Sequence, residues 1–105
     1  MGELEMIYFE IISAVGTARS LFIEAIGKAK SGDFEGAEEK VKEGNELFLQ
    51  GHKSHSKLIQ KEASDEKIEF SLILVHAEDQ MMSAEAFKIL SEEFIDVYKR
   101  IEEGK

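Results

Sequence analysis

Apolar and polar positions alternate with the period of a helix along almost the whole chain. Ile7, Ile11, Ala14, Ala18, Leu21 and Ala25 form one stripe, with Ile12, Val15, Phe22 and Ile26 beside it. Phe34, Ala37, Val41, Gly44, Phe48, Gly51, His55 and Leu58 form a second. Ile68, Leu72, Val75, Asp79, Met82, Ala86 and Ile89 alternate spacings of four and three, which is the pattern of a coiled-coil seam. Phe87, Leu90, Phe94, Val97 or Tyr98, and Ile101 make another stripe on that last segment. Phe70, Ile73, Ala77, Met81 and Ala84 widen it further. A helix apolar on most of its circumference needs neighbours on most sides. Two partner helices do not readily supply them, so the third segment is expected to meet other subunits as well.

Two breaks divide the pattern. At Lys30-Ser31-Gly32-Asp33, lysines 28 and 30 suit a helix C-terminus, Gly32 the position past it, and Asp33 the next N-cap. At Ala63-Ser64-Asp65-Glu66-Lys67, Ser64 is expected to cap the third helix, with Asp65 and Glu66 in its first turn. The spacing predicts helices over 3–30, 34–62 and 65–102, each about 40–55 Å long. Short turns make neighbours antiparallel. The expected fold is all-α: an antiparallel, up-down-up three-helix bundle filling 1–105 as a single domain. Gly44 and Gly51 lower helix propensity, and close approach of a neighbouring helix is the expected return.

Composition narrows the class. With 105 residues, 43% of them hydrophobic, the chain suits one small globular domain. It has no proline to break helices, and no cysteine for disulfides, thiolate metal sites or thiol nucleophiles. The net charge of −9 repels phosphate backbones and anionic lipid surfaces, so no nucleic acid or membrane partner is expected. No stretch reads as long and apolar enough to cross a bilayer, and the acidic start Met1-Gly2-Glu3-Leu4-Glu5 lacks the basic opening of a signal peptide. A cytoplasmic protein is expected.

The segment Leu72 to Met82 carries the candidate chemistry, because His76 and Asp79 interrupt an otherwise apolar run. A tight second turn brings His52 and His55 level with them, to within about one helical turn. His76 is either a phosphoryl acceptor, an imidazole being a good nucleophile near neutrality, or a buried, satisfied structural histidine. Asp79 lies in the seam itself. In a parallel trimer its three copies converge and need a counter-ion such as Mg²⁺; otherwise it is a buried polar residue fixing register or pairing with lysine. His52, His55, His76 and Asp79 together also have permissible spacing for a zinc or iron site, although the Glu-x-x-His of di-iron bundles is absent. No phosphate-binding glycine loop and no serine-hydrolase turn is present.

Leu74-Val75-His76-Ala77-Glu78-Asp79-Gln80-Met81-Met82 closely resembles the signature of the lactose/cellobiose-type IIA components of the bacterial phosphotransferase system, typically Val-His-Ala-Gln-Asp-His-Leu-Met. The first helix, Glu10 to Ser20, the Ala25–Ala37 turn region and Gly51 to Ile59 are similar too. The resemblance implies a nine-helix homotrimer. It implies that His76 accepts a phosphoryl group from the histidine phosphocarrier HPr and passes it to a cysteine of the cognate IIB component, a phosphotransferase reaction serving uptake of a lactose-, cellobiose- or chitobiose-type sugar. It also implies one Mg²⁺ per trimer, held by three copies of Asp79 on the three-fold axis. Glu78 stands where glutamine is usual, Gln80 where histidine is, and His55 where glutamine is. These departures motivate a rival expectation: a trimeric helical regulatory or metal-binding module without phosphotransfer.

Overall fold

The computed structural model describes residues 2–105 as three helices in a rod 58 × 21 × 20 Å. They are α1 (Glu3–Lys30), α2 (Phe34–Ala63) and α3 (Leu72–Glu103), and no strand occurs among the described residues. The all-α, antiparallel three-helix expectation is met, and the first turn forms as its residues predict. Gly32 takes a left-handed φ of 91°, which costs glycine little. Its N–H donates to Ala29 O at 3.0 Å and that of Asp33 to Lys28 O at 2.9 Å, closing α1 with a Schellman motif. The Asp33 carboxylate then caps α2, accepting from Gly36 N at 2.9 Å.

The second turn corrects the expectation. Ser64 ends α2 rather than starting α3, and Asp65 is left-handed at φ 67°. Asp65 N donates to Glu62 O at 3.3 Å and Glu66 N to Lys61 O at 3.1 Å, again a Schellman closure. Residues 66–71 then run without helix, and α3 begins at Leu72 rather than at 65, capped by Ser71, which accepts from Leu74 N at 3.2 Å. The four-three spacing misled here because Ile68, four before Leu72, packs against the core from this strap and not from a helix.

α1 is the central helix, packed closely on both others, whereas α2 and α3 meet more sparsely. It buries Ile7, Tyr8, Ile11, Val15, Ala18, Phe22, Ala25 and Ala29. By length and composition this helix is apolar enough to cross a membrane, contrary to the sequence expectation. In the fold that apolar character forms the core: Val15, Ala18, Phe22 and Ala25 are fully buried. Gly44 and Gly51 are where α2 presses onto α1. A Cβ at Gly44 would sit 2.6 Å from Phe22 Cε1, and one at Gly51 would collide with Val15 Cγ1. The expected close approach is present.

The side of α3 turned inward carries Ala77, Met81, Ala84, Ser91 and Ile95. Alanines let α1 come near. The heptad seam faces away: Leu72, Val75, Asp79, Met82, Ala86 and Ile89 are exposed, as are Leu90, Phe94, Val97 and Ile101. A continuous apolar stripe therefore covers the outer side of α3.

Candidate functional site

His76 and Asp79 project from the first two turns of α3, both exposed. His76 is therefore not the buried structural histidine of the bland alternative, and Asp79 is not buried within the chain. Three residues separate them, about 60° around the helix. Asp79 lies in the outer stripe between exposed Val75 and Met82.

The histidines do not assemble as a single zone. Glu78, not His76, meets α2: its Oε1 lies 2.7 Å from His55 Nε2. His52 lines a shallow groove with Phe48, Glu85, Lys88 and Ile89. The predicted height was right to within a turn, since His55 sits opposite Glu78, but the facing side was not. His76 precedes Glu78 by two residues, about 200° around the helix. It consequently lies on the flank away from α2, not near it. Among the described residues no three His, Asp or Glu side chains converge to hold a metal, so a site built from His52, His55, His76 and Asp79 within the chain is not formed.

The flank that carries His76 borders α1. Gln80, one turn on, is half-buried, and Ser83, two turns on, accepts from Arg19 Nε at 3.0 Å. The Arg19 guanidinium also lies 4.8 Å over the Phe87 ring. This α1–α3 clip fixes how α3 is turned about its axis, hence where His76 points. Apolar periodicity could not find it; the only signal was an arginine beside the α1 stripe. Likewise unforeseen, Ser54 donates to Glu10 Oε2 at 3.0 Å, with Lys57 Nζ 3.5 Å from the same oxygen. Of the three departures noted in the sequence, two are thus partners of each other, His55 and Glu78, and only Gln80 shares a face with His76.

At the same end of the rod, Lys61 Nζ lies 2.9 Å from Glu3 Oε1 and 3.4 Å from Glu66 Oε2, tying α1 and the strap to α2. The hydrogen bond and charge of Lys61 hold the Glu3 carboxyl below its ordinary value, and the hydrogen bond that Lys61 donates to Glu3 raises Lys61. Burial, with help from the charge of Glu5, pushes the Tyr8 phenol up.

These features define an elongated three-helix protein with an exposed imidazole on a rigid helix and one apolar face left over. The chain matches the family model described as "PTS system, Lactose/Cellobiose specific IIA subunit" over residues 6–99, and it belongs to that family of phosphotransferase-system (PTS) proteins. It is 43% identical over 103 residues to the lichenan-specific phosphotransferase enzyme IIA component of Bacillus subtilis, covering 98% of this chain and 94% of that one. It superposes on the crystal structure of the PTS cellobiose-specific enzyme IIA from Bacillus anthracis with a TM-score of 0.97 at 40% identity, covering 100% of this chain and 96% of that one. It is also similar to the chitobiose IIA solved in complex with HPr from Escherichia coli, with a TM-score of 0.82 at 31% identity, covering 97% and 99% of the two chains.

Proposed function

We propose that this IIA component is a cytoplasmic phosphocarrier in which His76 takes a phosphoryl group from phospho-HPr and gives it to a cysteine of its IIB partner, for uptake of a β-linked disaccharide of the lactose, cellobiose or chitobiose type. The observation that carries this reading is the exposure of His76 on a capped helix clipped to α1, within the stretch that matches the IIA family. The chitobiose relative solved in complex with HPr supports HPr as donor.

The chemistry asks for a nucleophile and for alignment. A ring nitrogen of His76 attacks phosphorus in line as the N–P bond to the HPr histidine breaks. The donor imidazolium leaves as a neutral imidazole, and His76 becomes a phosphoimidazolium, so protons balance without transfer to solvent. In the second step the IIB thiolate forms an S–P bond as the N–P bond to His76 breaks. Such transfers need mostly positioning and charge stabilisation. A helix held by the Ser71 cap and the Arg19 clip provides the positioning.

The working unit in this reading is a homotrimer whose α3 stripes meet around a three-fold axis. Exposed Val75, Met82, Leu90, Phe94 and Val97 form too large an apolar surface for a lone chain. Asp79 lies in that stripe, and three copies supply a donor set of carboxylate oxygens only, which fits Mg²⁺ rather than a softer metal. An ion bound there would supply positive charge that offsets the three carboxylates.

The decisive experiment is incubation with phosphoenolpyruvate, enzyme I and HPr. The native protein gains one acid-labile phosphoryl group per chain, and His76→Ala gains none while keeping its helical signal. Uptake by His76→Ala would end this reading.

A further inference from the structure

The strap leaves an unusual surface beside His76. Phe70 and Leu72 are 84% and 82% exposed, the most solvent-open large apolar side chains among the described residues. Phe70 forms, with Leu4, Phe9 and Ile73, the wall of a groove of about 370 Å³ between the start of α1 and the strap. Exposed Glu5 and Glu69 also line it. Ile73 is one helical turn before His76, so the two side chains are neighbours on one face of α3. Ile73 also lies about 120° around α3 from Asp79, away from the outer stripe. The groove therefore opens beside the candidate nucleophile and not onto the proposed three-fold axis.

A protein donor has to bring its phosphorus within roughly 3–3.5 Å of the His76 nitrogen. Its surface then necessarily covers the ground next to that residue. An apolar floor with a carboxylate rim suits a partner that presents apolar side chains bordered by lysine or arginine. We infer that the groove formed by Phe9, Phe70 and Ile73, with Glu5 and Glu69 at its rim, is the docking surface for the phosphoryl-donating protein. The inference rests on His76 being the phosphoryl acceptor. The strap is the reason the surface exists: a tight helix-to-helix turn at 64–66 would place Phe70 within a helix rather than in a groove wall shared with Phe9.

The test uses two donors. Phospho-HPr needs a docking surface, whereas phosphoramidate, a small N–P compound, does not. Phe70→Ser, at a site too exposed to endanger folding, raises KM for phospho-HPr about five- to tenfold, the loss of one good apolar anchor. Its rate with phosphoramidate and its oligomeric mass stay those of the parent. Glu5→Lys with Glu69→Lys slows the reaction with phospho-HPr and flattens its dependence on salt. A change of mass in Phe70→Ser would make the groove a contact between copies of the chain and overturn the inference. Equal losses with both donors would mean that Phe70 shapes His76 itself, and would overturn it too. If the parent takes phosphate from neither donor, the phosphocarrier reading fails first, and that outcome is distinct from both.

Discussion

Glu78 and His55 hold each other across α2 and α3, Oε1 to Nε2 at 2.7 Å, and in doing so turn the Glu78 charge away from His76. In a sequence, an acidic residue two positions after the proposed phosphoryl acceptor looks hostile to an incoming phosphoryl group. In the fold it lies on the opposite flank with its own partner.

It follows that Glu78→Gln changes the initial rate of phosphoryl uptake by less than about threefold, since a charge across the helix and in contact with solvent is largely screened. Stability falls by at most about 1 kcal/mol, because Glu78 is nearly half exposed and such pairs contribute little. A rate increase of tenfold or more, measured with the phosphoenolpyruvate-driven assay, would show that the Glu78 charge does reach His76.

Much of the bundle was legible because α1 and α2 carry stripes with unambiguous breaks. Gly32 and Asp33 have one sensible reading each, and the structure uses both as expected. The second break was ambiguous: Ser64-Asp65-Glu66 suits the end of one helix as well as the start of the next. Only the tertiary position of Ile68 decides that the chain stays non-helical until Ser71. The same ambiguity moved the facing sides at the site. Heights along antiparallel helices follow from counting residues, whereas the turn of α3 about its axis depends on Ala77, Met81 and Ala84 packing inward and on the Arg19–Ser83 clip. On a helix apolar nearly all round, periodicity alone cannot say which stripe is core and which is left for a partner.

The glycines give a paired stability prediction. Gly51→Ala places a methyl against Val15 Cγ1 in a fully packed contact, and overpacking of this kind costs about 1–3 kcal/mol. At Gly16 a Cβ would meet nothing within 4 Å, so Gly16→Ala gains about 0.5–1 kcal/mol from helix propensity alone. Urea titration of the two variants under identical conditions is expected to move the midpoint in opposite directions. A gain in stability from Gly51→Ala would mean that α2 does not press on α1 at Gly51.

The Glu3–Lys61 pair makes the start of α1 sensitive to pH at both extremes. Glu3 is held below its ordinary value of 4.5, so the contact is complete above that pH and is lost as pH falls through the lower folded value. Lys61 is raised above 10.5, so its share is complete below that pH and is lost as pH rises through the higher folded value. Amide exchange in the first turns of α1 should therefore be slowest, relative to the intrinsic rate, between these limits. Glu3→Gln should remove the acid-side change. Persistence of that change in the variant would assign it to another carboxylate, such as Glu5.

Asp79 provides the sharpest test of how the chains assemble. An exposed carboxylate set between Val75 and Met82 on an apolar stripe weakens any association that buries the stripe, unless a cation offsets its charge. Chelation of divalent ions is thus expected to loosen the proposed trimer, with mass by light scattering falling as EDTA is added and recovering with Mg²⁺. Asp79→Leu fills the same position with a side chain that favours burial and removes the charges that the proposed trimer would bring together. Its trimer should form equally well with and without Mg²⁺, and should resist urea better than the chelated native protein. Because His76 lies about 60° away around the helix, the variant should still accept phosphate. An Asp79→Leu protein that is monomeric both with and without Mg²⁺ would remove Asp79 from the axis and, with it, the basis for placing the ion there.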